Sequence, residues 1–461
     1  MTRTLFYLLI LITASGCGDS PSHSNTVYFS GEIVNPTSDY VVLYKDDIAI
    51  DSARLDDENR FILKLDNIKE GLHNFKHAPE YQYVYLEKGD SLAIRLNTSD
   101  FDESLVFAGK GSEINNFLLE MFLTNEEEQS LINSFYSLKP SDFSFKIDSL
   151  RQNKIKLLNE VRAETAFSEH ASEIAEASID YNYYIYKEMY PFYYKKIKGL
   201  DELPSLGPDF YGYRDRLDLN NARLTYFRPY YKYINYHLGN LTYMQCMKDC
   251  SLDEQSLESY LHYNKHKLAL IDSLITEKEL RDNVFRYVAI DYLLKMQKDQ
   301  ENSSDFIKTF HELSGNNRHI SEIDDLYEGI RNIQPNKPLP NVLLEDTEGN
   351  EVSIRQIAKD RKVVFYFWSA TQRGHFDNIV NRINQLQQLH KDYTFIGINL
   401  NTDETLWKSL VDQKGLDKSD QYRSEHYEQL HNALILYPMN KAIIANDSLI
   451  VDAFANLYSS F

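Results

Sequence analysis

The run Lys362-Val363-Val364-Phe365-Tyr366-Phe367-Trp368 (KVVFYFW) decides the fold of the last quarter of this 461-residue chain. It is short, nearly free of polar side chains and rich in β-branched and aromatic residues. That pattern predicts a strand covered on both faces. After it, Gly374 to His390 places Phe376, Ile379, Val380, Ile383 and Leu386 at helical spacing, and Tyr393 to Leu400 (YTFIGINL) repeats the buried-strand pattern. Glu404 to Val411 predicts a second helix. Upstream, Val342-Leu343-Leu344 and Val352-Ser353-Ile354 flank Glu348-Gly349-Asn350 as a hairpin, with a short helix from Ile354 to Ala358. Downstream, Ala442-Ile443-Ile444, an Asn446-Asp447 turn and Leu449-Ile450-Val451 predict a closing hairpin. Alternating α and β elements of this kind make a mixed α/β sandwich.

With these residues in place, the stretch from about 338 to 461 resembles the TlpA-like thioredoxin-fold proteins of bacterial envelopes. Phe365 to Ser369 is similar to the strand that delivers that family's active-site loop. Tyr437-Pro438 falls where the family carries its cis-proline, and Asp346 to Val352 is similar to its leading hairpin. The resemblance implies a Cys-x-x-Cys just after Trp368. This chain instead has Gln372, Arg373, Gly374 and His375 there, and no cysteine between 341 and 461. Thiol–disulfide exchange needs a thiolate nucleophile and a second thiol to resolve the mixed disulfide, and neither Gln nor His supplies one. No intrinsic reductase activity is expected. The candidate binding loop is Trp368, Gln372, Arg373, Gly374 and His375, with Tyr437 and Pro438 opposite. A helix N-terminus with Arg373 beside it suits hydrogen-bond-accepting ligands, and an open cis-proline loop suits an extended peptide. The other reading of the same loop is a solvated spacer.

Further upstream, Pro335 to Pro340 (PNKPLP) reads as a helix-breaking linker. From 111 to 334 the apolar residues recur at three- and four-residue spacing, as at Phe117, Leu118, Met121 and Phe122. This helical middle carries most of the 34 tyrosines, densest from Tyr181 to Tyr194, and their rings are expected to fill its core. From 26 to 110, short runs such as Val27 to Val34, Tyr40 to Tyr44, Arg60 to Leu65, Tyr81 to Leu86 and Ser91 to Leu96 are separated by turn residues. They predict an antiparallel β domain, a small sandwich or barrel. With Glu87 to Ser91, Phe107 to Ser112 and Asn115-Asn116, this part resembles the β domain that often precedes thioredoxin-like domains in Gram-negative envelope lipoproteins. The fold class expected is therefore multidomain α+β: an N-terminal β domain, a tyrosine-rich helical middle and a C-terminal α/β thioredoxin-like sandwich.

At the start of the chain, a basic Met1-Thr2-Arg3 precedes the apolar run Thr4 to Ala14, too short to span a bilayer. It ends in Ala14-Ser15-Gly16-Cys17, which resembles a bacterial lipobox. The resemblance implies a signal peptide over 1–16, a lipidated Cys17 and a polar tether over 17–25. The expected location is the cell envelope, on the periplasmic face or the outer-membrane surface, with the lipid as the membrane contact.

Lys and Arg number 49 against 69 Asp and Glu, a net charge of −20, which argues against nucleic acid as a partner. Three cysteines, Cys17, Cys246 and Cys250, are too few for a disulfide scaffold. Cys246 and Cys250 could be bridged in an oxidising envelope, at the strained upper limit of helical i,i+4 geometry. His262 and His266 share the spacing of a two-histidine metal site, but flanking Lys265 and Lys267 favour a solvated face. No metal or other cofactor is expected. The leading expectation is a redox-inactive binding or assembly module with a protein or peptide partner. The alternative is a TlpA-like enzyme or redox helper that acts with a partner.

Overall fold

Residues 25–249, 257–370, 373–437 and 441–461 are described by the computed structural model. The expected signal peptide, Cys17 and the expected tether up to residue 24 lie outside them, as do Cys250, Gln372 and Pro438. The chain gathers into two units. One runs to Ser134 and adds Asp148–Asp180, and the other comprises Phe135–Ile147 with Tyr181–Phe461.

The first unit is built on eight strands: β1 (Val27–Val34), β2 (Tyr40–Lys45), β3 (Ile48–Arg54), β4 (Arg60–Leu65), β5 (Gly71–His77), β6 (Glu80–Leu86), β7 (Ser91–Asn97) and β8 (Val106–Lys110). They form two four-stranded sheets, ordered β4-β1-β7-β8 and β3-β2-β5-β6. Period-two burial, as in Phe61, Leu63 and Leu65 of β4, turns one face of each sheet inward. The core is shared between sheets: Phe29 of β1 lies 5.3 Å from Phe61 and 5.6 Å from Phe75 of the opposite sheet. This is a sandwich. It is not wholly antiparallel, because β1 and β7 pair in parallel. The intervening strands carry the chain through the second sheet, so β7 can return beside β1 in the same direction.

After the short helix α1 (Phe101–Ser104), α2 (Ser112–Phe135) opens with the adjacent asparagines noted in the sequence. Asn115 accepts from the Tyr85 N–H at 2.7 Å and donates to the Tyr85 carbonyl at 2.8 Å. Asn116 does the same for Phe107, at 3.0 and 2.9 Å. Tyr85 lies on the edge strand β6 and Phe107 on the edge strand β8. One helical turn thus pairs the backbone of one residue on an edge strand of each sheet. The unit also holds most of α3 (Pro140–Glu164) and the start of α4 (Glu169–Lys198), where Arg151 makes a two-pronged ion pair with Asp180 at 2.8 and 2.9 Å.

The second unit contains the remainder of α4, then α5 (Arg228–Asp249), α6 (Leu257–Leu274), α7 (Lys278–Lys295), α8 (Gln300–Ser314) and α9 (Ile320–Asn332). Many of its tyrosines are core residues as expected: Tyr184 stacks on Tyr213 at 4.2 Å, and Tyr181 meets Tyr230 edge-on at 4.9 Å, while Tyr193, Tyr236 and Tyr287 are exposed. Within this aromatic core Glu188 is completely buried, and accepts from Tyr213 (2.8 Å), Arg214 (2.9 Å) and the His237 ring (3.0 Å). Burial opposes its ionisation, but the bonds from His237 and Arg214 outweigh burial and hold its carboxyl below the usual range.

The same unit carries a seven-stranded sheet: β9 (Leu343–Asp346), β10 (Glu351–Ser353), β11 (Lys362–Trp368), β12 (Thr394–Asn399), β13 (Gln421–Arg423), β14 (Lys441–Asn446) and β15 (Leu449–Asn456), in the order β10-β9-β13-β12-β11-β14-β15. The centre is parallel, β11 with β12 and β12 with β13, and β14 runs antiparallel to β11. Among the described residues, four helices accompany it: α10 (Ile354–Ala358), α11 (Arg373–Leu389), α12 (Glu404–Gln413) and α13 (Tyr427–Leu434). Val364, Tyr366 and Trp368 on one face of β11 share a core with Phe376, Ile379 and Ile383 of α11 and Trp407 of α12. β11 is buried at every position from Val363 to Trp368.

The Pro335–Pro340 segment is laid along the sheet rather than free. Asn336 and Leu339 donate backbone N–H groups to Ile450 and Ser448, and the Ile450 N–H donates to Lys337. Helix α9 also meets α13, where Gly329 leaves room for Ile435: a Cβ there would sit 2.7 Å from the Ile435 Cδ1. No helix among the described residues is long and apolar enough to cross a membrane.

Candidate functional site

The turn from β11 into α11 is where this architecture places a loop at the end of a central strand, the position that α/β sheets use for binding. Its foundation is rigid. Trp368 is fully buried and stacks on Phe376 at 4.1 Å, with an interplanar angle of 15°. Its indole N–H donates to Gln421 Oε1 at 3.3 Å, and Gln421 Nε2 donates to the Tyr366 hydroxyl at 2.9 Å. Complete burial pushes the Tyr366 phenol up to about 12. Gly397 makes this buried polar link fit: a Cβ there would meet Gln421 Oε1 at 2.3 Å and the Tyr366 oxygen at 2.7 Å. The loop is tied further by the Ala370 N–H, which donates to Thr402 Oγ1 at 3.1 Å.

The sequence-predicted loop residues separate on this frame. Trp368, grouped with the binding loop, is a core side chain beneath it, because its large apolar ring gains more from stacking on Phe376 than from exposure. Arg373 opens α11 and Gly374 follows it, with open space where a Cβ would stand. His375 is half-buried and lines an open groove of about 650 Å³ with Asn378, Asn381, Arg382, Gln385 and Tyr458. Gln372 and Pro438, which complete the predicted pair of loops, lie outside the described residues. Tyr437 is half-buried 5.0 Å from the His431 ring. Burial raises its phenol, Glu322 adds to the rise and Arg286 opposes it. Arg286 and Glu322 form an ion pair between α7 and α9, so the helical segment borders the loop that carries Tyr437.

Two groups here were not foreseen. Lys441, at the start of β14, is buried with its ammonium donating to the carbonyls of Leu434 and Ile435 at the end of α13, 4.3 Å from the Phe454 ring centre. Desolvation lowers its pKa to about 7. The groove residues Asn378, Asn381, Arg382 and Gln385 form the polar stripe of α11, readable in the sequence as the complement of Phe376, Ile379, Val380 and Ile383. Tyr458 joins them from the chain end, which no local pattern announces.

Away from this sheet, Cys246 lies on α5, and His262 and His266 lie on α6 with their ring centres 4.3 Å apart. The partner proposed for Cys246, Cys250, is outside the described residues.

No protein-family model matches this sequence, and no curated protein matches it. Solved structures do match, over about a quarter of the chain. A protein from Bacteroides vulgatus assigned as a thiol-disulfide oxidoreductase is similar at 22% identity over 28% of this chain and 90% of its own, with a TM-score of 0.24. The thioredoxin domain of a thiol-disulfide oxidoreductase from the same species is 18% identical over 26% of this chain and 86% of its own, with a TM-score of 0.22. A thioredoxin-family thiol:disulfide interchange protein from Chlorobium tepidum is 18% identical over 26% and 83%, with a TM-score of 0.22. The C-terminal sheet is thioredoxin-like in fold, and its strand order and βα units carry that statement.

Proposed function

We propose that this chain is a lipid-anchored cell-envelope protein whose thioredoxin-like part binds a partner and carries out no thiol chemistry. The observation that carries the reading is the β11–α11 junction. The frame under the loop runs from Trp368 on Phe376 to the Gln421–Tyr366 link, the resemblance would put Gln372-Arg373-Gly374-His375 at the dithiol position, and residues 341–461 contain no cysteine. A thiolate nucleophile is indispensable to disulfide exchange, whereas a rigid frame under a variable loop is what a recognition surface needs. The groove beside the loop presents an imidazole, amides, a guanidinium and a phenol, donors and acceptors suited to an extended peptide backbone. The envelope anchor rests on the basic start, the apolar run and Ala14-Ser15-Gly16-Cys17.

The test is affinity purification of the membrane-extracted protein and of an Arg373→Ala/His375→Ala variant from the native envelope. With matching melting curves, the variant should lose at least one protein that accompanies the unaltered chain. An identical set of co-purifying proteins rejects the loop and groove as the binding surface. The Cys17 anchor is checked separately by intact mass, which should begin at Cys17 with added acyl mass.

A further inference from the structure

Cys246 and the histidine pair form a cluster that the thioredoxin-like part does not use. His262 and His266 are four residues apart on α6, so their imidazoles rise from one helical face. Cys246 comes from α5, a separate helix packed beside α6; the Tyr263 hydroxyl on α6 donates to the Gly239 carbonyl on α5 at 3.1 Å. One sulfur and two ring nitrogens all lie within 4.8 Å of one another, and the three side chains are partly buried. Tetrahedral zinc, with Zn–S of about 2.3 Å and Zn–N of about 2.0–2.1 Å, holds its donors roughly 3.3–3.6 Å apart. Closing the cluster around an ion therefore takes shifts of about 1 Å, within reach of side-chain torsions that leave the helices in place.

The flanking lysines do not defeat the site as the sequence suggested. Lys265 donates to Asp305 at 2.9 Å, which offsets its charge. Lys267 reaches another neighbour, with its ammonium 6.0 Å from the centre of the Tyr287 ring. The histidines do not stand alone on a solvated face, because a thiol from the next helix meets them.

We propose that Cys246, His262 and His266 bind one zinc ion per chain, clamping α5 to α6. A thiolate with two neutral imidazoles is a donor set for zinc and other borderline or soft ions, and not for magnesium or calcium, which take oxygen. On binding, the Cys246 thiol gives its proton to solvent, and the sulfur and the two ring nitrogens each donate a lone pair. The fourth coordination position is taken by water or by a group from outside the cluster. The ion joins two helices far apart in sequence from the thioredoxin-like loop, so this site stands or falls independently of the binding function proposed above.

The test uses the full chain, stripped with a chelator and titrated with zinc against a chromophoric competitor. One equivalent should bind. Cobalt(II) in its place should give a thiolate-to-metal charge-transfer band and the intense visible bands of a tetrahedral ion. Cys246→Ser should abolish the charge-transfer band. Each of Cys246→Ser, His262→Gln and His266→Gln should weaken zinc binding by more than about a hundredfold, since even an outer-shell partner costs roughly 10–100-fold. Metal-free melting of the variants should match that of the parent. Absence of stoichiometric zinc binding, or an unchanged cobalt spectrum in Cys246→Ser, overturns the proposal. Where a variant fails to fold, the parent decides. Zinc must slow alkylation of Cys246, mapped by peptide mass, and an equal rate with and without zinc also overturns the site.

Discussion

Lys441 shows how much one buried group can couple this fold to pH. In an unfolded chain its ammonium titrates near 10.4, whereas desolvation brings it to about 7 in the structure. Between those values the unfolded chain holds a proton that the folded chain does not, so stability gained from this group rises with pH. The penalty for burying the cation is present in full below about pH 7 and is relieved progressively towards pH 10. Against Lys441→Met, which has no amine to titrate, the parent should gain stability at about 1.4 kcal/mol per pH unit over that window. Urea unfolding of both proteins across the window measures it. A difference that stays flat would show that the carbonyls of Leu434 and Ile435 keep the amine charged. Nothing in the sequence marked Lys441, because a lysine opening a strand is ordinarily exposed. Trp368, which the sequence placed both in a buried strand and beside the loop, is a core side chain whose ring stacks on Phe376.

At the scale of elements, strands with an apolar run, an alternating pattern or clear turn residues beside them were legible. KVVFYFW and YTFIGINL are buried on both faces, so their composition alone identifies them. β3 is exposed along nearly its whole length and so shows no buried face, and β13 has only three residues, too few for a pattern. The parallel pairing of β1 with β7 depends on a return through the second sheet, a fact of topology and not of local sequence. The Asn115-Asn116 pair was visible as a motif, but its work on two sheet edges was not. Asn115→Ala should leave the Tyr85 N–H and carbonyl unpaired on the edge of β6 and cost at least about 2 kcal/mol in chemical denaturation, because each buried orphan costs about 1–3 kcal/mol. Asn116→Ala, at an exposed position, should cost less than half as much. Equal losses would mean that α2 stabilises the sandwich by packing and that its asparagines contribute little.

For the molecule as a whole, sequence reasoning reached the architecture and fell short wherever distant segments meet. The groove adds Tyr458 to the α11 stripe, the rim of the Tyr437 loop borrows the Arg286–Glu322 pair, and Cys246 joins histidines sixteen and twenty residues further along the chain. The central proposal is that the thioredoxin-like part of this chain carries out no thiol–disulfide exchange. The most direct measurement is reduction of insulin by a dithiol in the presence of the purified full chain. The rate should equal the protein-free background at every concentration tested. Turnover that scales with the protein and disappears in Cys246→Ser would contradict the account and move the redox centre to the helical segment.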